Sequence, residues 1–331
     1  MHVLILAPFE ETCLDRLRSR IKVTYKPWTE SRVLLDPEEL AEAINGYQAE
    51  ALIVEADFVL EETFKEAPGL RLVGICRNAV SQIDVDAATE SGVVVVNAPG
   101  RNARAVGELV IGLMFALARG IVASHRYVAE GRWEDPVSPY LELGGVEVGG
   151  KTLGLVGLGA IGSEVSGLAH ALGMKVLASD PYVTPKRASQ VRACLTDLDT
   201  VLRASDFVSI HLPAGAETSG LIDGRALQVM RPGAYLINTS TPEAVDSSAL
   251  LDALERGEIA GAALDVHESP PIPPDHPLLA HPKVILTPHI GGATDGTVAR
   301  HSQMMTEALE RFRQGLRPTH VVNPSAWQCR G

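Results

Sequence analysis

The 331-residue sequence is short of several things, and each shortage removes a class of function. It has four cysteines, Cys13, Cys76, Cys194 and Cys329, with no C-x-x-C pair among them. Thiols so scattered suit neither a zinc site nor a disulfide framework, and they fit a reducing cytosol. A cytoplasmic protein without a bound metal is therefore the expectation. Lysine and arginine together number 29 against 41 aspartates and glutamates, for a formal net charge of −12, and they form no basic run. Nucleic acid is bound through clustered cations, so no such partner is expected. No stretch approaches the roughly 18 consecutive apolar residues that mark a membrane span, so no membrane partner is expected either. The apolar opening, residues 1–7, has no basic segment before it and is followed at once by Glu10 and Glu11. It reads as a first strand and not as an export signal.

What is present is ordinary globular material, 46% hydrophobic and 21% charged, in a length that suits about two domains. Short apolar runs at 3–8, 51–54, 72–75 and 93–96 alternate with helical patterns at 13–21, from Pro37, at 61–66 and at 86–91. That alternation is the signature of an α/β unit with a mainly parallel sheet. Asn97-Ala98-Pro99-Gly100 is turn chemistry and marks a hinge. A long helix is expected over 103–120, with Val106, Leu109, Val110, Leu113, Met114 and Leu117 on one face. Ile111 and Phe115 make its other side apolar too, which fits an interior helix, a domain boundary or a dimer interface equally. Residues 131–150 read as irregular and the proline-rich 269–282 as a loop. The tail beyond Arg317 reads as extended.

The most informative stretch runs from Lys151 to Asp180. An apolar strand at 153–156 leads into Gly157-Leu158-Gly159-Ala160-Ile161-Gly162, then a helical pattern, then a strand at 175–178 that ends near Asp180. Strand, G-x-G-x-x-G, helix, strand and acid are the full context of a dinucleotide fingerprint. Gly157 allows the tight turn, Gly159 the approach of a pyrophosphate, and Gly162 close packing of helix on strand. The helix N-terminus offers free N–H groups to the phosphates. Asp180, 23 residues after Gly157, would take the adenosine ribose hydroxyls and repel a 2′-phosphate, which favours NAD. After Asp180 the rhythm continues, with helices at 197–203, 224–230 and 247–256, and strands at 207–212, 234–238, 262–266 and 284–287. A last helix runs to about Gly315.

Over nearly its full length the chain resembles the D-isomer-specific 2-hydroxyacid dehydrogenase family. The resemblance rests on VVVNAPGRNARAVGELVIGLMFALAR (93–119), GKTLGLVGLGAIG (150–162), Asp180-Pro181-Tyr182 and Ser209-Ile210-His211-Leu212-Pro213. GLIDGRALQVMRPGAYLIN (220–238), GAALDV (261–266) and TPHIGGAT (287–294) carry it further. It implies an α/β fold of two Rossmann-like, doubly wound parallel-sheet domains with the active site in the cleft between them. The NAD-binding domain would be 99–288, and the substrate-side, flavodoxin-like domain 1–98 plus 289–331. It also implies a small-molecule substrate and a homodimer. Carried over residue by residue, Val106, Gly157, Gly159, Ala160, Ile161, Gly162, Asp180 and Pro181 would border the cofactor, as would His211, Leu212, Pro213 and Thr218. Asn238, Thr239 and Ser240 would lie along its nicotinamide half, with Asp265, His289 and Gly291 close by. Ala160 stands where many members carry a basic residue. For His211 a packed, hydrogen-bonded role is as good a reading as a chemical one.

The chemistry is where the chain leaves the pattern. Reduction of a 2-oxo acid needs a proton donor, a cation for the carboxylate and a group that keeps the donor protonated, and the family implies His, Arg and Glu for these tasks. His289, in Thr287-Pro288-His289, matches the acid/base. Thr241 stands in place of the Arg and Pro242 in place of the following glycine, so one neutral hydroxyl replaces a charged fork. Pro270 stands in place of the Glu, and Glu268 comes two residues early. The loop 75–82 departs as well, and Arg77, Asn78 and Ala79 are its candidate substrate contacts. Three readings follow. One is an NAD-dependent oxidoreductase for an atypical hydroxy or oxo substrate. A second is an NAD-retaining enzyme without net redox, such as a dehydratase, epimerase or cyclase. The third is a catalytically silent NAD(H)-responsive binding protein.

Overall fold

The computed structural model describes residues 1–328, so Cys329 and the last residues of the tail lie outside the described residues. The chain divides into two compact units, Met1–Arg101 with Thr294–Gly331, and Asn102–Ala293.

The first unit is built on five parallel strands, β1 (His2–Ile5), β2 (Lys22–Tyr25), β3 (Ala51–Val54), β4 (Leu72–Ile75) and β5 (Val94–Asn97), in the order β2-β1-β3-β4-β5. This is the flavodoxin-like order. Both faces of the sheet are covered, so the central strands are continuously apolar instead of alternating. In β1, Val3 and Ile5 enter one core with Leu14, Leu17, Met305 and Leu309, while Leu4 enters the other with Leu40, Ile44 and Phe64. β2 went unread in the sequence because Lys-Val-Thr-Tyr is a half-exposed edge strand with no apolar run. The helix Asp295–Arg313 packs against β1 and the helix Glu11–Arg18. The tail that follows is extended only in part. Val322 N donates to Val95 O (2.8 Å) and the Asn323 side chain accepts from Val95 N (2.8 Å). Pro324 then opens a short helix, Pro324–Gln328, which corrects the expectation of a fully extended tail.

The second unit carries seven parallel strands, β6 (Thr152–Val156), β7 (Lys175–Ser179), β8 (Cys194–Leu195), β9 (Phe207–Ile210), β10 (Tyr235–Asn238), β11 (Gly261–Leu264) and β12 (Val284–Leu286). Their order is β12-β11-β10-β9-β6-β7-β8, a doubly wound sheet whose direction of winding reverses between β6 and β9. One face is covered by Ala103–Ala118 and Ala160–Ala171, through Val110, Met114, Val165 and Ala169. The other is covered by Leu198–Ala204, Gly224–Val229 and Ser247–Arg256, through Leu202, Leu227, Leu250 and Leu254. The long helix Ala103–Ala118 packs on the core of this unit, where Ile111 and Phe115 are only half-buried. Among the described residues no single helix is long and apolar enough to cross a membrane. Helices Ile121–Ala129 and Pro185–Gln190 went unread in the sequence, as did the helical turn Ser138–Glu142 within the segment taken as irregular.

The unit boundaries differ from 98 and 288 for identifiable reasons. Arg101 is held in the first unit by an ion pair with Glu55 (2.6 Å), a hydrogen bond to His301 (2.9 Å) and Arg300 Nε on its carbonyl (2.6 Å). Residues 289–291 are held in the second unit by Asp265, as described next, so His289 belongs with the dinucleotide fold.

Candidate cofactor and active site

The carboxyl ends of β6 and β9 flank the point where the winding reverses, which is where open α/β sheets bind ligands. Gly157 follows β6 with φ +96°, and a Cβ there would lie 2.4 Å from the His211 carbonyl oxygen. A Cβ on Gly162 would lie 2.4 Å from the Gly157 carbonyl oxygen. Gly159 has no heavy atom within 4 Å of its would-be Cβ, so the turn is open to a ligand at that point. It is also the N-cap of the helix Ala160–Ala171 and supplies no side-chain cap, which leaves the first N–H groups of the helix for a phosphate. Asp180 accepts from Leu158 N (2.8 Å) and Tyr182 N (2.9 Å), so its carboxylate is fixed beside the glycine turn. Ile161 packs into the core beneath, while Ala160 and Pro181 are exposed.

His211 follows β9 and is buried. Its Nε2 lies 3.0 Å from Ser209 Oγ, and Nδ1 is buried without a partner among the described residues. Burial lowers its pKa to about 4, so the ring is neutral at pH 7. Leu212 and Pro213 follow it outside the strand, and the Thr218 hydroxyl donates to Pro213 O at 2.8 Å.

The other end of the site is built from the segments after β10, β11 and β12. Asn238 is buried; its Nδ2 donates to Thr241 O (2.8 Å) and its Oδ1 accepts from Ser240 N (3.1 Å). The Thr239 hydroxyl is buried without a partner among the described residues. Thr241 is buried too, and its hydroxyl donates to Glu243. The Thr241 donor is therefore already committed, and Glu243, two residues on, belongs to this edge. That hydrogen bond holds the Glu243 carboxyl below the usual carboxylate range.

Asp265, 1% exposed, accepts from Thr287 Oγ (2.6 Å), Ile290 N (2.9 Å) and Gly291 N (2.8 Å). These bonds clamp the turn that carries His289. The His289 backbone sits at φ +56°, a left-handed conformation that costs a non-glycine residue about 1 kcal/mol, and the clamp offsets it. A Cβ on Gly291 would lie 3.0 Å from Asp265 Oδ2 and 3.3 Å from Val106 Cγ2, so Val106, Asp265 and Gly291 meet at one point. Glu268 accepts from Ser247 Oγ (2.7 Å) and is committed there. His267 Nε2 lies 2.8 Å from Thr287 O. A cavity of about 110 Å³ borders this edge, lined by Asn238, Pro242, Val245, His267 and Leu278 among others.

Arg77, Asn78 and Ala79 lie in the first unit on the exposed turn after β4, tied down through Ala98 N on Arg77 O (2.9 Å) and Asn97 Nδ2 on Asn78 O (2.8 Å). Cys76 beside them is buried, and burial pushes its thiol far up, which removes it as a nucleophile.

A doubly wound sheet with an open glycine turn, an uncapped helix N-terminus and a fixed acid after the second strand defines a nicotinamide dinucleotide-binding domain, and its cofactor is NAD. The family described as D-isomer specific 2-hydroxyacid dehydrogenase, NAD binding domain, matches residues 111–291, and the chain belongs to that family. It is 37% identical over 325 residues to a D-3-phosphoglycerate dehydrogenase of Archaeoglobus fulgidus, covering 98% of this chain and 59% of the relative's length. It is 38% identical to a glyoxylate reductase of Thermofilum pendens, over 92% of this chain and 88% of that protein. Among solved structures it resembles a D-lactate dehydrogenase with NAD+ from Lactobacillus jensenii. That match has a TM-score of 0.81 and 27% identity, covering 97% of this chain and 99% of the other.

Proposed function

We propose that the protein is an NAD-dependent oxidoreductase of the D-2-hydroxyacid dehydrogenase type that acts on an atypical hydroxy or oxo substrate, with His289 as its acid/base. Bound NAD supplies hydride transfer to or from the reacting carbon. The protein's part is the proton: His289 gives it to the carbonyl oxygen in reduction and takes it from the hydroxyl in oxidation. The observation that carries this reading is the Asp265 clamp, which holds the His289 turn with three hydrogen bonds. So costly a placement for an exposed histidine fits a side chain whose position matters. Thr241 acts here as a positioning residue through Glu243, and Arg77, Asn78 and Ala79 are proposed as substrate contacts. The readings without net redox and without turnover have no observation of their own in their favour.

Two further expectations stay with this proposal. Cytoplasmic residence rests on the scattered thiols. A homodimer rests on the family resemblance, and the exposed apolar side chains Trp133, Tyr140, Leu141 and Val137 in the second unit offer it a face; the mass in solution tests it. The activity itself is tested by screening hydroxy and oxo compounds for a change in reduced-nicotinamide absorbance. His289→Gln is expected to lower turnover by roughly 10²- to 10⁴-fold and to leave NADH affinity within about threefold. A variant as active as the wild type would end the acid/base assignment.

A further inference from the structure

We propose that Glu243 makes this a site for hydroxy or oxo compounds that carry a neutral or cationic hydrogen-bond donor, and no carboxylate, beside the reacting carbon. The proposal rests on the reading that chemistry takes place at the carboxyl edge of β10 and β11, beside His289.

The argument begins with the charges along that edge. Between Asn238 and Ala293 the sequence holds only two strong cations, Arg256 and Lys283. Arg256 pairs with Asp252 (3.2 Å), and Lys283 Nζ donates to Leu254 O (3.2 Å). Leu254 and Asp252 lie in the helix Ser247–Arg256, so both cations are engaged away from Thr241. No lysine or arginine of these segments is thus left to hold a carboxylate.

The acids divide differently. Asp246 caps the helix Ser247–Arg256, accepting from Ser248 N (3.0 Å) and Ala249 N (2.9 Å). Asp265 is occupied by the His289 turn and Glu268 by Ser247. Glu243 differs from all three. It is exposed and accepts a hydrogen bond from the Thr241 hydroxyl through Oε2. Held below the usual carboxylate range by that hydrogen bond, it is charged at neutral pH. The position that a carboxylate-binding site would fill with a cation therefore presents a buried hydroxyl backed by an anion.

Two polar groups remain for a ligand at this edge, the exposed Glu243 carboxylate and, four residues before it, the buried Thr239 hydroxyl, which has no partner among the described residues. A carboxylate oxygen can only accept, and a hydroxyl does either. An amide N–H, a hydroxyl or an ammonium satisfies Glu243; a substrate carboxylate meets it as a like charge and finds no compensating cation in these segments.

Oxamate and oxamide test this, because they share one shape and differ by one charge. Each is titrated into the NADH-loaded protein and followed by nicotinamide fluorescence, with NADH affinity as the folding control. The wild type is expected to bind oxamide about tenfold more tightly than oxamate. Glu243→Gln keeps an acceptor for Thr241 and is expected to bring the two ligands within about threefold, by tightening oxamate. Oxamate binding as tightly as oxamide, or a preference unaltered in Glu243→Gln, overturns the proposal. If neither ligand binds while NADH does, the placement of substrate at this edge is wrong, and the proposal falls with it. A Glu243-dependent preference for oxamide, together with no turnover of any hydroxy or oxo compound, upholds the charge selection and sinks the oxidoreductase reading instead.

Discussion

The glycine turn after β6 is built from backbone; the proposed reaction site after β10 and β11 is built from side chains. Gly157, Gly159 and Gly162 work by having no Cβ, and Asp180 is held by two main-chain N–H groups. Such a site has few acceptable residues, because a methyl group at either of two glycines would collide with a carbonyl oxygen at 2.4 Å. After β10 and β11 the main chain sets positions, and the proposed chemistry depends on which side chain stands at 241, 243, 268 and 270. A fold keeps the first kind of site while its function is decided by the second.

The largest way to break that comparison is to give the cradle a side chain. Gly157→Ala combines a strained φ of +96° with a Cβ 2.4 Å from the His211 carbonyl oxygen. Strain and overpacking together are expected to cost about 3–5 kcal/mol, seen as a lower unfolding midpoint in denaturant and loss of detectable NADH binding. An alanine variant that binds NADH as the wild type does would show that this turn is not the cofactor cradle.

His211 stands between the two ends, and its burial makes a pH prediction. Its folded pKa of about 4 lies below the ordinary 6.5, so the unfolded chain takes up the proton first. The stabilising contribution is complete above about pH 6.5, declines as pH falls, and is lost by about pH 4, a change of about 3 kcal/mol. His301, also lowered by burial, acts in the same direction while facing Arg101, Glu55 and the Pro8 carbonyl. Unfolding midpoints from pH 7 to pH 4 should therefore fall less steeply in His211→Asn than in the wild type. Equal slopes would mean that His211 is solvated in the folded protein.

How much of this was legible in the chain follows the same division. The glycine turn and Asp180 could be read because their residue types admit few other uses in a strand-turn-helix context. Central strands were legible as apolar runs, while β2 and β8 were not, since edge strands have one solvated side and need no such run. Glu243 was in plain view, two residues after Thr241, yet nothing in the order of residues says that a buried threonine donates to it. The clamp from Asp265 to the His289 turn joins segments 24 residues apart and is visible only once β11 and β12 are paired.

A smaller test sharpens the nicotinamide end by rebuilding it. Thr241→Arg with Pro242→Gly and Pro270→Glu replaces three of the residues that depart from the family pattern. With Glu243 in place, the new guanidinium is expected to be captured by the neighbouring carboxylate, and reduction of 2-oxo acids should rise little. Adding Glu243→Gln frees it, and a charge-assisted contact with a substrate carboxylate should then raise kcat/KM by about ten- to a hundredfold over the triple variant. If the triple variant is already as active as the quadruple one, Glu243 is not part of the edge that meets substrate.

The smallest effect is expected at Asp180, and it tests whether the adenosine end depends on anything besides backbone. Its two oxygens each accept one main-chain N–H, from Leu158 and Tyr182, and each retains a lone pair for a ribose hydroxyl. Asp180→Asn keeps the size but turns one acceptor into a donor and removes the charge. It should weaken NADH by about tenfold, the worth of one charge-assisted hydrogen bond, and should also lift the repulsion of a 2′-phosphate. The ratio of NADPH to NADH dissociation constants, measured by fluorescence titration, is therefore expected to fall in the variant. A ratio that stays put while both affinities drop together would assign Asp180 to holding the glycine turn and leave the choice of cofactor to other residues. The adenosine end would then be backbone throughout, and the contrast with the side-chain-built end would be sharper still.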